Sequence, residues 1–340
     1  MSHLKFAVMG AGFWSHFQIP AWFEVGGVEL VAIYNRTVSK AEAVAAKFNI
    51  PRVYGDPEEM LRNEELDFVD IITEVPGHAP LVLLAAQHKL PVICQKPMAG
   101  DYATCQQMVQ ACREAGVPFA IHENFRWQAP MRALKQVLDK GTIGQPFRAR
   151  IQFIHGLPAI FENQPFLKEL ERFAFTDVGS HLFDLARFFF GEAQSIYAQT
   201  YRTRDDIKGE DVASAMLRIG DLICTCDISY SSKVEHQCFP ETLVFIEGKK
   251  GTIELAPGLW LRVTTEEGVL ARQVTPPYYP WADPRYAVVH ASIVPCNADL
   301  LDALKHGRPA ETSGEDNLKT MRLVYAAYES AAANQVVHLS

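Results

Sequence analysis

The first third of the chain alternates short apolar runs with stretches of helical period, and its first run ends in a pair of glycines. Lys5 to Met9 reads as a strand, and Gly10-Ala11-Gly12 turns out of it. Val28 to Tyr34 is a second strand, followed by a helix over Lys40 to Phe48. Phe68 to Ile72, Pro91 to Cys94 and Pro118 to His122 are further strands, with helices over His78 to His88 and Asp101 to Ala115 between them. Strands spaced by helices pair parallel, and right-handed crossovers put helices on both faces of the sheet. The expected fold is therefore α/β, opening with a doubly wound parallel sheet of Rossmann type.

The pattern changes after about residue 125. A helix over Ala129 to Lys140 is followed by a strand over Pro146 to Ile154 and an apolar helix over Gly179 to Phe190. Ile196 to Thr203, Val212 to Ile219, Leu222 to Tyr230, Thr242 to Glu247, Gly251 to Leu255 and Leu259 to Thr264 then read as successive strands. Their short connections, Gly220-Asp221 and Gly248 to Gly251, favour antiparallel pairing. Helices over Ala287 to His306 and Glu315 to Asn334 end the chain. Two domains are expected: residues 1–124 for a dinucleotide, and residues 125–340, an α+β domain with a large, mainly antiparallel open sheet, for substrate and self-association.

Composition narrows the function. The formal net charge is −8, from 32 basic and 40 acidic residues, so no overall positive field draws in a nucleic acid. No uncharged apolar run approaches the roughly 18–20 residues that span a bilayer, and the N-terminus reads straight into a strand. A cytoplasmic protein without membrane partners is expected. The seven cysteines match no zinc spacing and are expected as free thiols, and no metal is expected.

In a dinucleotide fold the first glycine allows the tight turn and the second lets backbone N–H groups approach a pyrophosphate. Gly10, Gly12, Phe13 and Trp14 hold those positions here, and Ser15 stands where a third glycine is usual. The end of the second strand carries Asn35-Arg36-Thr37 and no carboxylate. Arg36 can pair with a 2′-phosphate or stack on adenine, which leans slightly to NADP; Asn35 suits a ribose hydroxyl of NAD equally well.

Gln95-Lys96-Pro97 follows the strand ending at Cys94, at the carboxyl edge of the sheet where ligands of open α/β folds bind. An ammonium there can hold a substrate hydroxyl and stabilise charge as a carbonyl forms. Asp177 and His181, four apart, can share a face of the first turn of a helix. A neutral imidazole suits removal of a hydroxyl proton, and a neighbouring carboxylate can orient it or bind a sugar hydroxyl.

Taken in order, the glycine turn at Gly10, Thr73 to His78, Gln95-Lys96-Pro97, and Asp177 with His181 resemble the Gfo/Idh/MocA oxidoreductase family over essentially the whole chain. The resemblance implies an NAD(P)-dependent dehydrogenase that oxidises a hydroxyl of a sugar or cyclitol, with Lys96, Asp177 and His181 at the catalytic positions. It also implies cofactor contacts at Thr73, Glu74, His78, Gln95 and Asn124, and a homodimer or homotetramer formed through the second-domain sheet. Gln95 stands where the family usually has Glu, and Glu74 where a small residue or proline is usual. The segment His122 to Gln128 joins the domains, so Arg126 and Trp127 are expected to contact substrate, one as a donor and the other as a flat face for a sugar ring. His155 and Tyr286 are further substrate candidates, with Asp283 and Arg285 beside the latter. Trp281 to Tyr286 resembles family members acting on aldoses such as D-apiose. Two other readings share this fold: a glycosidase or lyase using tightly bound NAD for transient oxidation, and a non-catalytic dinucleotide sensor. A short-chain dehydrogenase is disfavoured, because no tyrosine is followed four residues later by lysine.

Overall fold

The computed structural model describes residues 3–156, 159–235 and 239–339. Two compact units emerge: Met1–Asn124 with Tyr278–Pro284 and His290–Met321, and Phe125–Pro277 with Arg285–Val289 and Arg322–Ser340.

The first unit is built on β1 (Leu4–Met9), α1 (Ser15–Val25), β2 (Val28–Tyr34), α2 (Val38–Phe48), β3 (Arg52–Tyr54), α3 (Pro57–Asn63), β4 (Phe68–Ile71), α4 (His78–Gln87), β5 (Val92–Gln95), α5 (Tyr102–Ala115) and β6 (Phe119–His122). The sheet order is β3-β2-β1-β4-β5-β6, with every pairing parallel. This order reverses direction at β1, so the crevice outside the carboxyl ends of β1 and β4 is where a ligand of such a sheet binds. The sequence reading omits β3 and α3. A three-residue strand is too short to show a period, but α3 has clear punctuation: Asp56 accepts the Glu58 N–H at 2.9 Å and Pro57 opens the helix. The far end of the chain completes this unit, since Ile121 N–H donates to Thr312 O at 2.9 Å and Trp281 Nε1 to Glu24 at 3.1 Å.

Stacked Phe6 and Phe68, with ring centroids 4.9 Å apart, and the fully buried Trp22 fill the space between β1, β4 and α1. In the middle of this apolar layer stands Asp70, with no exposed surface. Its carboxylate accepts from Gln18 Nε2 at 2.8 Å on each oxygen and from Trp22 Nε1 at 2.7 Å. Burial outweighs those donors and pushes its pKa up to about 7.

The second unit holds α6 (Ala129–Asp139), β7 (Pro146–Ile154), α7 (Ala159–Asn163), α8 (Ser180–Phe190), β8 (Ser195–Tyr201), β9 (Val212–Ile219), β10 (Leu222–Ser229), β11 (Leu243–Gly248), β12 (Gly251–Ala256), β13 (Trp260–Thr265) and β14 (Gly268–Gln273). Helices α9 (Ala287–His306) and α10 (Gly314–Ala333) contribute residues to both units, and β15 (Val337–His338) closes the chain. The nine-stranded order is β14-β13-β12-β11-β7-β10-β9-β8-β15. Only β10 with β7 is parallel in that sheet, and the remaining pairings are antiparallel. The period of two is visible in β9, where Ala213, Ala215, Leu217 and Ile219 are buried and Ser214, Met216 and Arg218 exposed. Helix α8 packs on β7 and β10. Strand β14, absent from the sequence reading, is exposed throughout and so has no buried alternation to betray it.

Helix α9 is long and apolar enough to span a membrane by length and composition, but 61% of that stretch is buried within the protein, as in a core helix. Six cysteines are free and buried among the described residues. Cys224 and Cys226 share the covered face of β10, and Cys238 lies outside the described residues.

The unfolded chain ionises Asp70 near its ordinary value of 3.8, whereas the folded chain holds the proton to about 7. Its contribution to stability therefore falls as pH rises between those values, and the full penalty is present above pH 7. Asp70→Asn removes that penalty. The stability difference between variant and wild type, from urea unfolding, should shift toward the variant by about 2–3 kcal/mol between pH 5 and pH 8; a pH-independent difference would contradict this.

Candidate active site

Gly10 has φ +122°, and a Cβ there would lie 2.5 Å from Ile72 O. No other residue fits where the chain leaves β1 this close to the end of β4. A Cβ on Gly12 would meet nothing within 4 Å, so the space above the turn is open. The N–H groups of Gly12, Phe13 and Trp14 have no acceptor among the described residues, while those of Ser15 and His16 close back onto Gly12 O and Phe13 O. The first turn of α1 carries no acidic residue. These are three donors at the positive end of a helix, and they fit a pyrophosphate.

Asn35 faces inward. Its Oδ1 accepts the Ala11 N–H at 3.1 Å and its Nδ2 donates to Thr37 O at 2.9 Å, tying the glycine turn to the end of β2. Arg36 beside it is exposed, as is Glu74. Thr73 Oγ1 is buried without a partner among the described residues, a position suited to a cofactor hydroxyl. His78, expected at the cofactor, serves instead as an internal clamp. It is fully buried, with Nε2 3.0 Å from Thr73 O and Nδ1 3.0 Å from Pro97 O. Burial lowers its pKa. Asn124 is 3% exposed and donates to Ser292 Oγ at 2.8 Å.

Lys96 is half-buried at the end of β5, joined to Pro97 by a cis peptide bond. Gln95, expected against a ribose, turns into the protein: its Nε2 donates to Gln18 Oε1, and its Oε1 accepts the Lys96 N–H at 3.3 Å. The sequence reading missed Gln18, Trp22 and Asp70 altogether. The available signal was a carboxylate inside the otherwise apolar run Phe68 to Ile72.

In the second unit a π-helical turn, Phe175–Gly179, leads into α8. Such widened turns are frequent at functional sites, and this one carries Asp177, with His181 just beyond it. The His181 ring lies flat on Phe125, with centroids 3.7 Å apart and planes 1° from parallel, which fixes its orientation. Tyr230 OH donates to Asp177 Oδ2 at 2.8 Å. Burial holds the Tyr230 hydroxyl protonated by raising its pKa well above the usual tyrosine value. Glu210 Oε1 accepts the N–H groups of Phe173 and Phe175 and the Tyr328 hydroxyl, pinning the chain that enters the turn. His155 is buried among Phe153, Tyr230 and Phe239. Desolvation pushes its pKa down to about 4 against the nearby Asp177, leaving it neutral. Tyr286 packs edge-on against the same Phe239.

Arg126 does not have the freedom expected of a sugar contact, and one face of the half-buried Trp127 is covered. The Arg126 guanidinium pairs with the fully buried Asp184 through Nε at 2.5 Å and Nη2 at 2.7 Å. The Arg132 guanidinium covers Trp127, 3.5 Å from its ring centroid. A carboxylate buried in α8 requires a paired cation, and that demand claims the arginine. Arg126→Met should cost about 3 kcal/mol by stranding Asp184 and leave the substrate KM of the folded enzyme unchanged. A raised KM at wild-type stability would return Arg126 to the substrate.

An anion cradle at the switch point of a parallel sheet, with a lysine at a neighbouring strand end, fits a dinucleotide. Residues 4–123 match the model of the oxidoreductase family with an NAD-binding Rossmann fold, and residues 131–254 match the Gfo/Idh/MocA C-terminal domain. The chain belongs to the Gfo/Idh/MocA oxidoreductase family. It is 41% identical over 340 residues to a D-apiose dehydrogenase of Rhizobium rhizogenes, spanning 100% of this chain and 98% of that one. A D-apiose dehydrogenase of Paraburkholderia graminis is 39% identical over 340 residues, covering 100% of this chain and 90% of that one. The crystal structure of an oxidoreductase from Agrobacterium radiobacter in complex with NAD+, L-tartaric acid and magnesium has a TM-score of 0.97 and 41% identity, with 99% of this chain and 98% of that chain covered.

Proposed function

We propose that this protein is an NAD-dependent aldose dehydrogenase whose substrate is D-apiose or a closely similar small sugar. The observation that carries the reading is full-length similarity to two D-apiose dehydrogenases in a chain that keeps an open anion cradle and an oriented imidazole. The first unit binds the dinucleotide, with the Gly12, Phe13 and Trp14 N–H groups on its phosphates and Thr73 Oγ1 toward a hydroxyl. When bound, the dinucleotide supplies a nicotinamide that accepts hydride from the carbon being oxidised.

The chain's own groups handle the proton and the developing charge. His181, held flat on Phe125, takes the hydroxyl proton. Lys96 donates to the same oxygen and stabilises its negative charge as the C–H bond breaks. Asp177, fixed by Tyr230, holds His181 or a neighbouring sugar hydroxyl in place. The hydroxyl proton ends on His181, and the sugar, having lost that proton and a hydride, becomes a lactone. No carboxylate at the end of β2 repels a 2′-phosphate, and the exposed Arg36 suits one, so NADP is accepted as a second cofactor.

Assays of D-apiose, other aldoses, uronic acids and cyclitols against both dinucleotides test the substrate and cofactor together. D-Apiose with NAD should give the highest kcat/KM, and Lys96→Met and His181→Ala should each lower kcat by about a hundredfold or more while dinucleotide binding persists. Near-normal turnover in both variants would overturn the mechanism, and a clear preference for a cyclitol would overturn the substrate.

The outer face of the nine-stranded sheet is proposed as the seat of a second copy of the chain. Met216, Thr225, Arg150 and Phe245 form one cross-strand row there, with Ile223 in the next. Met216, Ile223 and Phe245 are 48%, 41% and 39% exposed, more apolar surface than solvent-facing strands need. Met216→Glu with Phe245→Glu should release monomers in light scattering; an unchanged particle mass would move the interface elsewhere.

A further inference from the structure

An isolated carboxylate in the centre of a parallel strand is costly, and apolar residues would fill the site between β1 and β5 without that cost. Val8 and Ile93 flank Asp70 in the sheet register, and Cys94, which pairs with Ile71 and so points to the other face of the sheet, is a thiol whose pKa is raised, chiefly by burial and also by the Asp70 charge. None of these neutralises it. What Asp70 does have is a directed chain of hydrogen bonds that ends at the backbone of Lys96.

The direction of that chain follows from donor and acceptor chemistry. An ionised carboxylate only accepts, so Gln18 must turn its amide nitrogen toward Asp70, as it does on both oxygens. That leaves Gln18 Oε1 facing Gln95, which must present its own amide nitrogen. Gln95 Oε1 is thereby aimed at the Lys96 N–H, the only side of the amide that can accept it. The links from Asp70 through Gln18 to Gln95 are buried, with Gln18 at 0% and Gln95 at 7% exposure, so water does not substitute for a missing partner there; the last link, to the Lys96 N–H, is part-buried.

We propose that Asp70 and Gln18 are positioning residues for Lys96: the buried carboxylate fixes the orientation of two amides in series, and the second amide holds the backbone from which the lysine leaves the sheet. The inference rests on the reading of Lys96 given above. It explains why Gln at position 95 is compatible with a carboxylate deep in the sheet. A neutral amide can pass the acceptor demand along, whereas a carboxylate at 95 would put two acceptors on Gln18.

The test is kcat at saturating dinucleotide and sugar at pH 8, with thermal melting of the same samples. Asp70→Asn replaces one of the two oxygens that hold Gln18 Nε2 with an NH2 group, so the directions of Gln18 and Gln95 are no longer fixed and the Gln95 amide nitrogen is free to turn onto the Lys96 N–H. It should lower kcat about tenfold or more while the melting temperature holds or rises. Asp70→Asn with Gln18→Glu moves the charge one link along and restores an acceptor toward Gln95, so kcat should return to within about threefold of wild type. Should the substitutions at 70 fail to fold, Gln95→Met and Gln18→Met break the same chain. Each should lower kcat, and together they should do no worse than either alone. Wild-type kcat in Asp70→Asn, no recovery in the double variant, or additive losses in the methionine pair would overturn the proposal. Lys96→Met separates the two readings. If it abolishes turnover while Asp70→Asn does not, only the positioning chain fails; if it leaves turnover intact, the role of Lys96 itself is wrong.

Discussion

A charge with no water around it must be met by protein donors, and in the first unit that requirement falls on Asp70. Its partners come from α1, through Gln18 and Trp22; Gln18 in turn meets the last residue of β5. One buried group therefore sets the relative position of the helix that begins at the glycine turn and the strand that ends just before Lys96. The two parts of the unit that would touch a dinucleotide and a substrate are tied to a single acceptor. The arrangement gives up stability above neutral pH, a common exchange where geometry at a site matters more than packing.

The second unit anchors its chemistry by similar means. Glu210 gathers two backbone N–H groups and a tyrosine hydroxyl ahead of the π-helical turn. Tyr230 holds Asp177, and Phe125 holds the plane of His181. The Arg126–Asp184 pair fixes the segment after Asn124 onto α8. Each of these groups supports a neighbour's position, and most are buried.

Local signals carried much of this into the sequence. Alternating strands and helices gave the parallel sheet, the glycine pair located the turn, and alternation in β9 and β10 exposed the second sheet's covered face. Long apolar periods placed α9 at its observed bounds. Short or edge elements such as β3 and β14 lacked enough period to be seen. Partnerships were the harder part. Arg126 reads as a substrate donor until Asp184, 58 positions away, is found beneath it, and Gln95 reads as a cofactor ligand until Gln18, 77 positions away, meets its amide. Asn35 and His78 likewise have their hydrogen bonds directed to backbone groups brought close by folding. Residue type announces that a polar group needs a partner; only the fold decides which one.

The proposed reaction moves a hydride from a sugar carbon and lets the reduced dinucleotide go. D-Apiose deuterated at its anomeric carbon, incubated with excess NAD and the enzyme, tests that in a single mass spectrum of the dinucleotide. Reduced dinucleotide should accumulate and carry the deuterium. Reduced dinucleotide without the label, or none accumulating while the sugar is converted, would contradict it.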